Sequence, residues 1–346
     1  MTKANAWWLK NQPVETANRY LAMCIAASPW VEVFDYLTTT PVLLSDPATL
    51  PTGAAVDIDF RPGSSMYAVA HANSPYVSFY SISGTTITKL ADPATLPTDD
   101  CSGVRFSPDG NWCLTAGPSA GLDLNLYDMS SGAPVWARGL SKGSTTGAIA
   151  WGPDSAVFCH DAAGQQIFYD PTDFSVIDTV SAGGSSRSMD WDPLSNLILQ
   201  MRTLSGRPVG VIDWNAGVPT VLADPVADNG GSTGISVRFD PSGTGICITT
   251  QPDVGADPKP YTFVYDCSSG VPVAATTQLS PQTQPSSATG ACIRDKGDKI
   301  AITSPSATHA FLMVFQAFVS EAGTPTPSAG GNDGSAWGGS GGTMDP

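Results

Sequence analysis

Seven residues occur twice in this chain, 46 positions apart, as Asp46-Pro47-Ala48-Thr49-Leu50-Pro51-Thr52 and Asp92-Pro93-Ala94-Thr95-Leu96-Pro97-Thr98. Two prolines in seven residues exclude a regular helix or strand, because proline lacks an amide hydrogen and restricts the residue before it. The motif is therefore a connector. Each copy follows an apolar run (Pro41 to Leu44, Ile87 to Leu90) and precedes an alternating one (Val56 to Phe60, Cys101 to Phe106). A third, eroded copy begins at Leu222-Ala223-Asp224-Pro225. A connector with a period in the forties restricts the fold to an array of similar units.

Tight turns keep the same beat. Phe106-Ser107-Pro108-Asp109-Gly110 is an apolar residue followed by a turn in which Pro presets φ and Gly accepts a positive one. Related turns follow Phe60, Trp151, Trp191, Phe239 and, more weakly, Ile293, at spacings of 46, 45, 40, 48 and 54. About 20 residues after each turn comes an apolar-aromatic run closing on aspartate, as in Leu126-Tyr127-Asp128, Phe168-Tyr169-Asp170, Val211-Ile212-Asp213 and Val264-Tyr265-Asp266. Phe79-Tyr80-Ser81 and Val314-Phe315-Gln316 occupy the same place without the acid. Between landmarks the chain alternates with period two, as in Met66 to Ala70 and Tyr76 to Tyr80. Each unit thus predicts four short antiparallel strands, the make-up of a β-propeller blade.

The N-terminus supplies one more unit. Tyr20 to Ala26 aligns with Met66 to Ala72, and Ser28-Pro29-Trp30-Val31 with Ser74-Pro75-Tyr76-Val77, both at an offset of 46. Phe34-Asp35 is a further aromatic-Asp pair. The expectation is an all-β, seven-bladed propeller over residues 1–319, with blades starting near 5, 55, 101, 146, 186, 234 and 288. The last unit reads one strand short, and Ala4 to Leu9 fits either as its closing strand or as the first strand of unit one. Residues 320–346 are a Gly/Ser/Pro-rich tail whose composition does not order itself.

Charge narrows the function classes. Lys and Arg number 16 against 31 Asp and Glu, so the basic footprint of a nucleic-acid binder is missing and no nucleic-acid partner is expected. No apolar run approaches the roughly 18 residues of a membrane span, so no membrane association is expected either. The first residues hold no apolar core of a secretory signal, and ordinary export is not expected. The seven cysteines are odd in number, form no Cys-x-x-Cys pair, and read as reduced, buried residues. The three histidines, His71, His160 and His309, show no metal-ligand spacing. Phosphate and dinucleotide loops and the nucleophile elbow are absent as strand-turn-helix motifs, so neither catalytic residues nor a cofactor or metal is expected. The recurrent aspartates read as turn starters that accept nearby backbone N–H groups. Trp112, Trp136, Trp151 and Trp191 read as packing between blades. Trp337, alone in the polar tail, is the leading candidate for docking a partner, with Trp7 and Trp8 as weaker candidates that also suit a core strand.

With Phe-Ser-Pro-Asp-Gly at 106–110 and Tyr-Asp-x-Ser-Ser-Gly at 127–132 and 265–270, residues 5–318 resemble WD40-type blades. The Gly-His pair that opens many WD40 repeats is missing and Trp-Asp is mostly Tyr-Asp, which puts that family's usual hydrogen-bond network in question. The connector Leu-x-Asp-Pro-Ala-Thr-Leu-Pro-Thr together with Ser-Pro-Trp-Val and Ser-Pro-Tyr-Val resembles propeller proteins of tailed-bacteriophage virions. That resemblance implies a non-enzymatic structural or interaction protein of the particle, in its tail, fibres or head-associated layer. Its partners would be other virion proteins, engaged as multiple copies. The competing expectations are a module binding a host receptor or cell-surface glycan, and a propeller hydrolase or lyase with acids or histidines converging on the central channel.

Overall fold

The computed structural model describes residues 6–8, 19–25, 28–36, 41–117, 124–141, 148–203, 209–215, 217–224, 236–239, 246–250, 262–267, 272–274, 290–293, 299–305 and 310–316. They form seven antiparallel sheets that follow one another along the chain. The first holds β1 (Ala6–Trp8), β2 (Tyr20–Cys24), β3 (Val31–Asp35) and β4 (Val42–Leu43), and the second β5 (Ala55–Phe60), β6 (Met66–His71), β7 (Val77–Ser83) and β8 (Thr86–Lys89). The third comprises β9 (Gly103–Phe106), β10 (Trp112–Ala116), β11 (Leu124–Asp128) and β12 (Val135–Leu140). The fourth comprises β13 (Ile149–Trp151), β14 (Phe158–Ala162), β15 (Gln165–Tyr169) and β16 (Val176–Ser181). The fifth runs β17 (Ser186–Trp191), β18 (Leu197–Arg202), β19 (Val209–Asn215) and β20 (Val218–Val221). The sixth runs β21 (Ser236–Phe239), β22 (Ile246–Thr250), β23 (Thr262–Asp266) and β24 (Val273–Ala274). The seventh, among the described residues, has three strands, β25 (Gly290–Ile293), β26 (Lys299–Pro305) and β27 (Ala310–Gln316).

In each sheet the strands pair in sequence order, and the first strands of successive sheets adjoin, from β1 to β5 and onward to β25, which lies against β1. The first strands therefore surround the axis and the fourth strands lie on the rim. The two open readings of the N-terminus are resolved: β1 pairs with β2, so it opens the first sheet.

The sheets adhere through apolar seams. Five buried clusters each draw on two successive sheets, as where Tyr20, Val33 and Leu44 meet Ile58, Tyr67 and Tyr80, or where Leu114 and Leu126 meet Trp151, Phe158 and Tyr169. The repeated aromatic of the third strand is among the largest fully buried side chains of these seams: Tyr80, Tyr127, Tyr169 and Tyr265 are all buried. Tyr67 stacks on Tyr80 at 5.1 Å and Phe158 on Tyr169 at 5.1 Å. Burying one such ring stabilises by about 2 kcal/mol, so the repeat carries cohesion from sheet to sheet. Trp151 and Trp191 sit in these seams as expected, with Trp112 and Trp136 partly buried against them.

The turns also link neighbours. Gly63 and Gly110 take the positive φ that the Pro-Gly turns require, and Ser155 takes it where the fourth sheet lacks the glycine. Arg61 Nε donates to Gly110 O at 2.7 Å, and Asp109 N donates to Ser155 Oγ at 3.1 Å. Both connector copies run from a rim strand to the next axial strand, β4 to β5 and β8 to β9, with Pro51 and Pro97 buried and Thr52 and Thr98 exposed.

Candidate functional site

Charged side chains converge on the axial strands. In β5 the alternation Val56-Asp57-Ile58-Asp59 points both carboxylates at β9 of the next sheet. Asp57 Oδ2 accepts from Val104 N at 3.0 Å and from Arg105 Nη1, and Asp59 Oδ2 accepts from Phe106 N at 2.7 Å. Three sheets on, the arrangement recurs: Ser188 Oγ of β17 accepts from Val237 N at 3.3 Å and Arg238 Nη1 at 3.1 Å, and Asp190 Oδ2 accepts from Phe239 N at 2.7 Å. Burial, then the nearby positive charge of Arg105, lowers Arg238 to about 10, while Asp190, Asp57 and Asp59 oppose that shift. These axial acids hold the backbone N–H groups of neighbouring strands.

A second concentration lies where connectors meet the turns between second and third strands. Ser28-Pro29-Trp30 and Ser74-Pro75-Tyr76 are equivalent turns with cis prolines, and the aromatics after them stand at φ 72° and 67°. A bulky residue in that region costs on the order of 1–3 kcal/mol and persists only where its surroundings fix it. Each ring is half-buried, Trp30 against the seam of the first two sheets and Tyr76 against the next. The connector is tied to the turn: Thr52 Oγ1 donates to Ser74 O at 2.7 Å, and Asn73 Nδ2 to Thr52 O at 3.1 Å. Ser28, Thr52, Asn73, Ser74, Asp99 and Asp100 are exposed around them. A cleft between Pro29, Asp46, Leu50, Tyr67 and Tyr80 admits no more than about one water.

Elsewhere polar groups are enclosed. Asp161, Gln166, Ser186 and Gln200 form one buried cluster, with Gln166 Nε2 2.5 Å and Ser186 Oγ 2.9 Å from Asp161 Oδ2, and Ser186 Oγ 2.7 Å from Gln200 Oε1. Arg202 pairs at 2.8 Å with Asp224 of the eroded connector. His71 Nε2 lies 3.0 Å from Ser78 Oγ, and burial lowers its pKa to about 4. These contacts stand in sheets that lack the Gly-His pair and whose third strands do not close on Trp-Asp. Burial pushes the Cys101 thiol up to about 12 and those of Cys113 and Cys159 well above their ordinary value, so these thiols stay protonated. Among the described residues no group of three His, Cys, Asp or Glu could hold a metal ion.

The aspartates that close the third strands behave as expected in two sheets. Asp128 Oδ1 accepts from Ser130 N at 2.8 Å, and Asp170 Oδ1 from Thr172 N at 2.7 Å. Asp35 also accepts from Arg19, whose Nη2 donates to Oδ2 at 2.6 Å. On the rim, Val42, Leu43, Val135, Val176, Ile177, Val218, Val221 and Val273 of the fourth strands are exposed.

Of the expected docking residues, Trp7 and Trp8 lie in β1, opposite Ala22 and Leu21. Trp337 lies outside the described residues. The sequence showed the aromatic turns as a repeat, but neither they nor the axial carboxylates were expected there as site residues. The repeats that mark them are Asp-x-Asp-Phe with Ser-x-Asp-Trp, and Ser-Pro-aromatic-Val.

No protein family matches the chain, and no curated protein does. The fold itself is widespread: 1232 solved chains match it, so the likeness by itself selects no function. One of them, a chain in the crystal structure of a mitotic checkpoint complex, is 13% identical, covers 91% of this chain and 89% of its own, and superposes with a TM-score of 0.67. The chain is an all-β, WD40-like β-propeller.

Proposed function

We propose that this chain is a non-enzymatic structural and interaction component of a bacteriophage particle, in its tail, fibres or head-associated layer, with the propeller as the binding platform. One observation carries the reading. The residues behind the resemblance to virion propellers, the connector and Ser-Pro-Tyr-Val, meet on an exposed face where Thr52 Oγ1 bonds Ser74 O at 2.7 Å. The exposed valines of the rim supply apolar area of the kind protein partners cover. The enclosure of Asp57 and Asp59 against β9 favours a structural role for these acids over hydrolysis. Partners are other virion proteins, engaged as multiple copies. The test is mass spectrometry of purified particles. The chain is expected at a fixed stoichiometry to the major particle proteins, and its absence from particles that are otherwise complete overturns the reading.

A second reading, a host-surface glycan as ligand, is favoured by the half-exposed rings of Trp30 and Tyr76 beside Ser28, Asn73 and Ser74, since sugars stack on aromatic faces and bond to such groups. Binding to a glycan array that is lost in Trp30→Ala and Tyr76→Ala supports it. No binding to host cells or glycans removes it.

A further inference from the structure

The connector aspartate occurs three times, and two of the three hold a cation of this chain. Asp92 pairs with Lys89, and Asp224 pairs with Arg202 at 2.8 Å. The other, Asp46, is exposed and makes no ion pair among the described residues. The repeat shows why. Leu43 stands opposite Phe34 as Lys89 stands opposite Tyr80, so the first sheet has leucine where the second has its lysine. Arg202 pairs with Ser186 as His71 pairs with Ala55, each the first residue of its axial strand. Ile25 N bonds Trp30 O as His71 N bonds Tyr76 O, so Ile25 holds the place of Arg202 in the first sheet. Neither residue that could serve Asp46 from within the sheet carries a charge.

The rim beside Asp46 differs from its equivalent in a matching way. Val42 and Leu43 are 57% and 53% exposed. Their equivalents are Thr88 and Lys89, whose side chain is only 15% exposed where it meets Asp92. An exposed aliphatic pair next to a carboxylate with no cation complements one kind of side chain, an alkyl stem that ends in a cation. A net charge of -15 sets a second copy of the chain against itself and favours a basic partner. We propose that Val42, Leu43 and Asp46 form a docking site for a lysine-bearing segment of another protein, with the stem on Leu43 and the ammonium on Asp46, as Lys89 meets Asp92. This names the partner's chemistry, and it rests on the reading of the chain as a protein-docking platform.

Peptide titration of the full chain, followed by amide NMR shifts at low salt, tests this. The probe is acetyl-Thr-Lys-Thr-amide. The control carries norleucine in place of lysine, which keeps the stem and lacks the ammonium. The lysine peptide should shift the amides of Leu43 and Asp46 and leave Asp92 unmoved. Asp46→Asn should weaken binding about fivefold. Leu43→Lys should abolish it, because the chain then fills Asp46 itself, and Lys89→Leu should open a second site at Asp92. No shift at Leu43 and Asp46, equal shifts from both peptides, binding that survives Asp46→Asn and Leu43→Lys, or no second site in Lys89→Leu overturns the proposal. A dimer of the free chain that dissociates in Asp46→Asn overturns it too, by placing a second copy on the rim. None of these results bears on whether particles contain the chain, which their mass spectrometry decides separately.

Discussion

Arg105 Nη1 donates to Asp57 Oδ2 across the seam between the second and third sheets, 48 residues apart in sequence, and the same oxygen accepts Val104 N at 3.0 Å. Both side chains are almost fully buried. Removing one partner strands the other charge, which costs about 3–5 kcal/mol. Asp57→Ala should therefore lower stability by about that amount in chemical denaturation. Adding Arg105→Met should recover part of the loss, because it removes the stranded guanidinium. A double variant as unstable as the sum of two independent losses would contradict the pairing.

His71 sets an acid limit. Burial, against weaker opposing help from the Asn73 and Ala72 backbone, lowers its folded-state pKa from 6.5 to about 4; Lys89 lowers it further and Asp92 raises it. The unfolded chain therefore takes up the proton first as pH falls. This contribution to stability is whole above pH 6.5, declines as pH falls towards 4, and amounts to about 3 kcal/mol. His71→Gln should flatten the dependence of melting temperature on pH across that window. An unchanged slope would refute the assignment.

Tyr127 offers a gain. Its ring is buried in a seam, its pKa is pushed up by burial, and among the described residues its Oη meets no hydrogen-bond partner. Tyr127→Phe keeps the ring and removes a desolvated hydroxyl, so stability should hold or rise by up to about 1 kcal/mol. A loss of that size would show a bonded hydroxyl.

Two glycines with the same backbone should respond differently. Gly63 and Gly110 stand at φ +73° and +71°, but a Cβ at Gly63 meets nothing within 4 Å, whereas one at Gly110 lies 2.8 Å from Pro62 O of the neighbouring turn. Gly63→Ala should cost about 1 kcal/mol of backbone strain. Gly110→Ala adds a backbone clash between sheets and should cost at least twice as much. Equal losses on thermal denaturation would remove the role given to that turn contact.

The sheet order and landmarks were legible because they depend on local chemistry. The connector Asp46 to Thr52, the turn at Pro108-Asp109-Gly110 and the aromatic before Asp128 each carry their own signal and repeat it. The links between sheets were not legible. Arg61 to Gly110, Asp57 to Val104 and Asp109 to Ser155 join residues 46 to 49 apart, and no local pattern names such a partner. Asp57 and Asp59 read in sequence as the polar face of a strand, whereas the ring turns that face onto the next sheet. The pairing of Asp35 with Arg19, sixteen residues away, likewise carries no local signal. The aromatic turns were visible as a repeat, but the positive φ that presents Trp30 and Tyr76 is a tertiary property.

The function we propose for this propeller is docking in a bacteriophage particle through its connector-and-turn face. A reconstruction of the particle by electron cryomicroscopy tests it most directly. The prediction is density for the propeller with another virion protein covering Thr52, Asn73 and Ser74. Particles without propeller density, from infected cells that contain the chain, would contradict it.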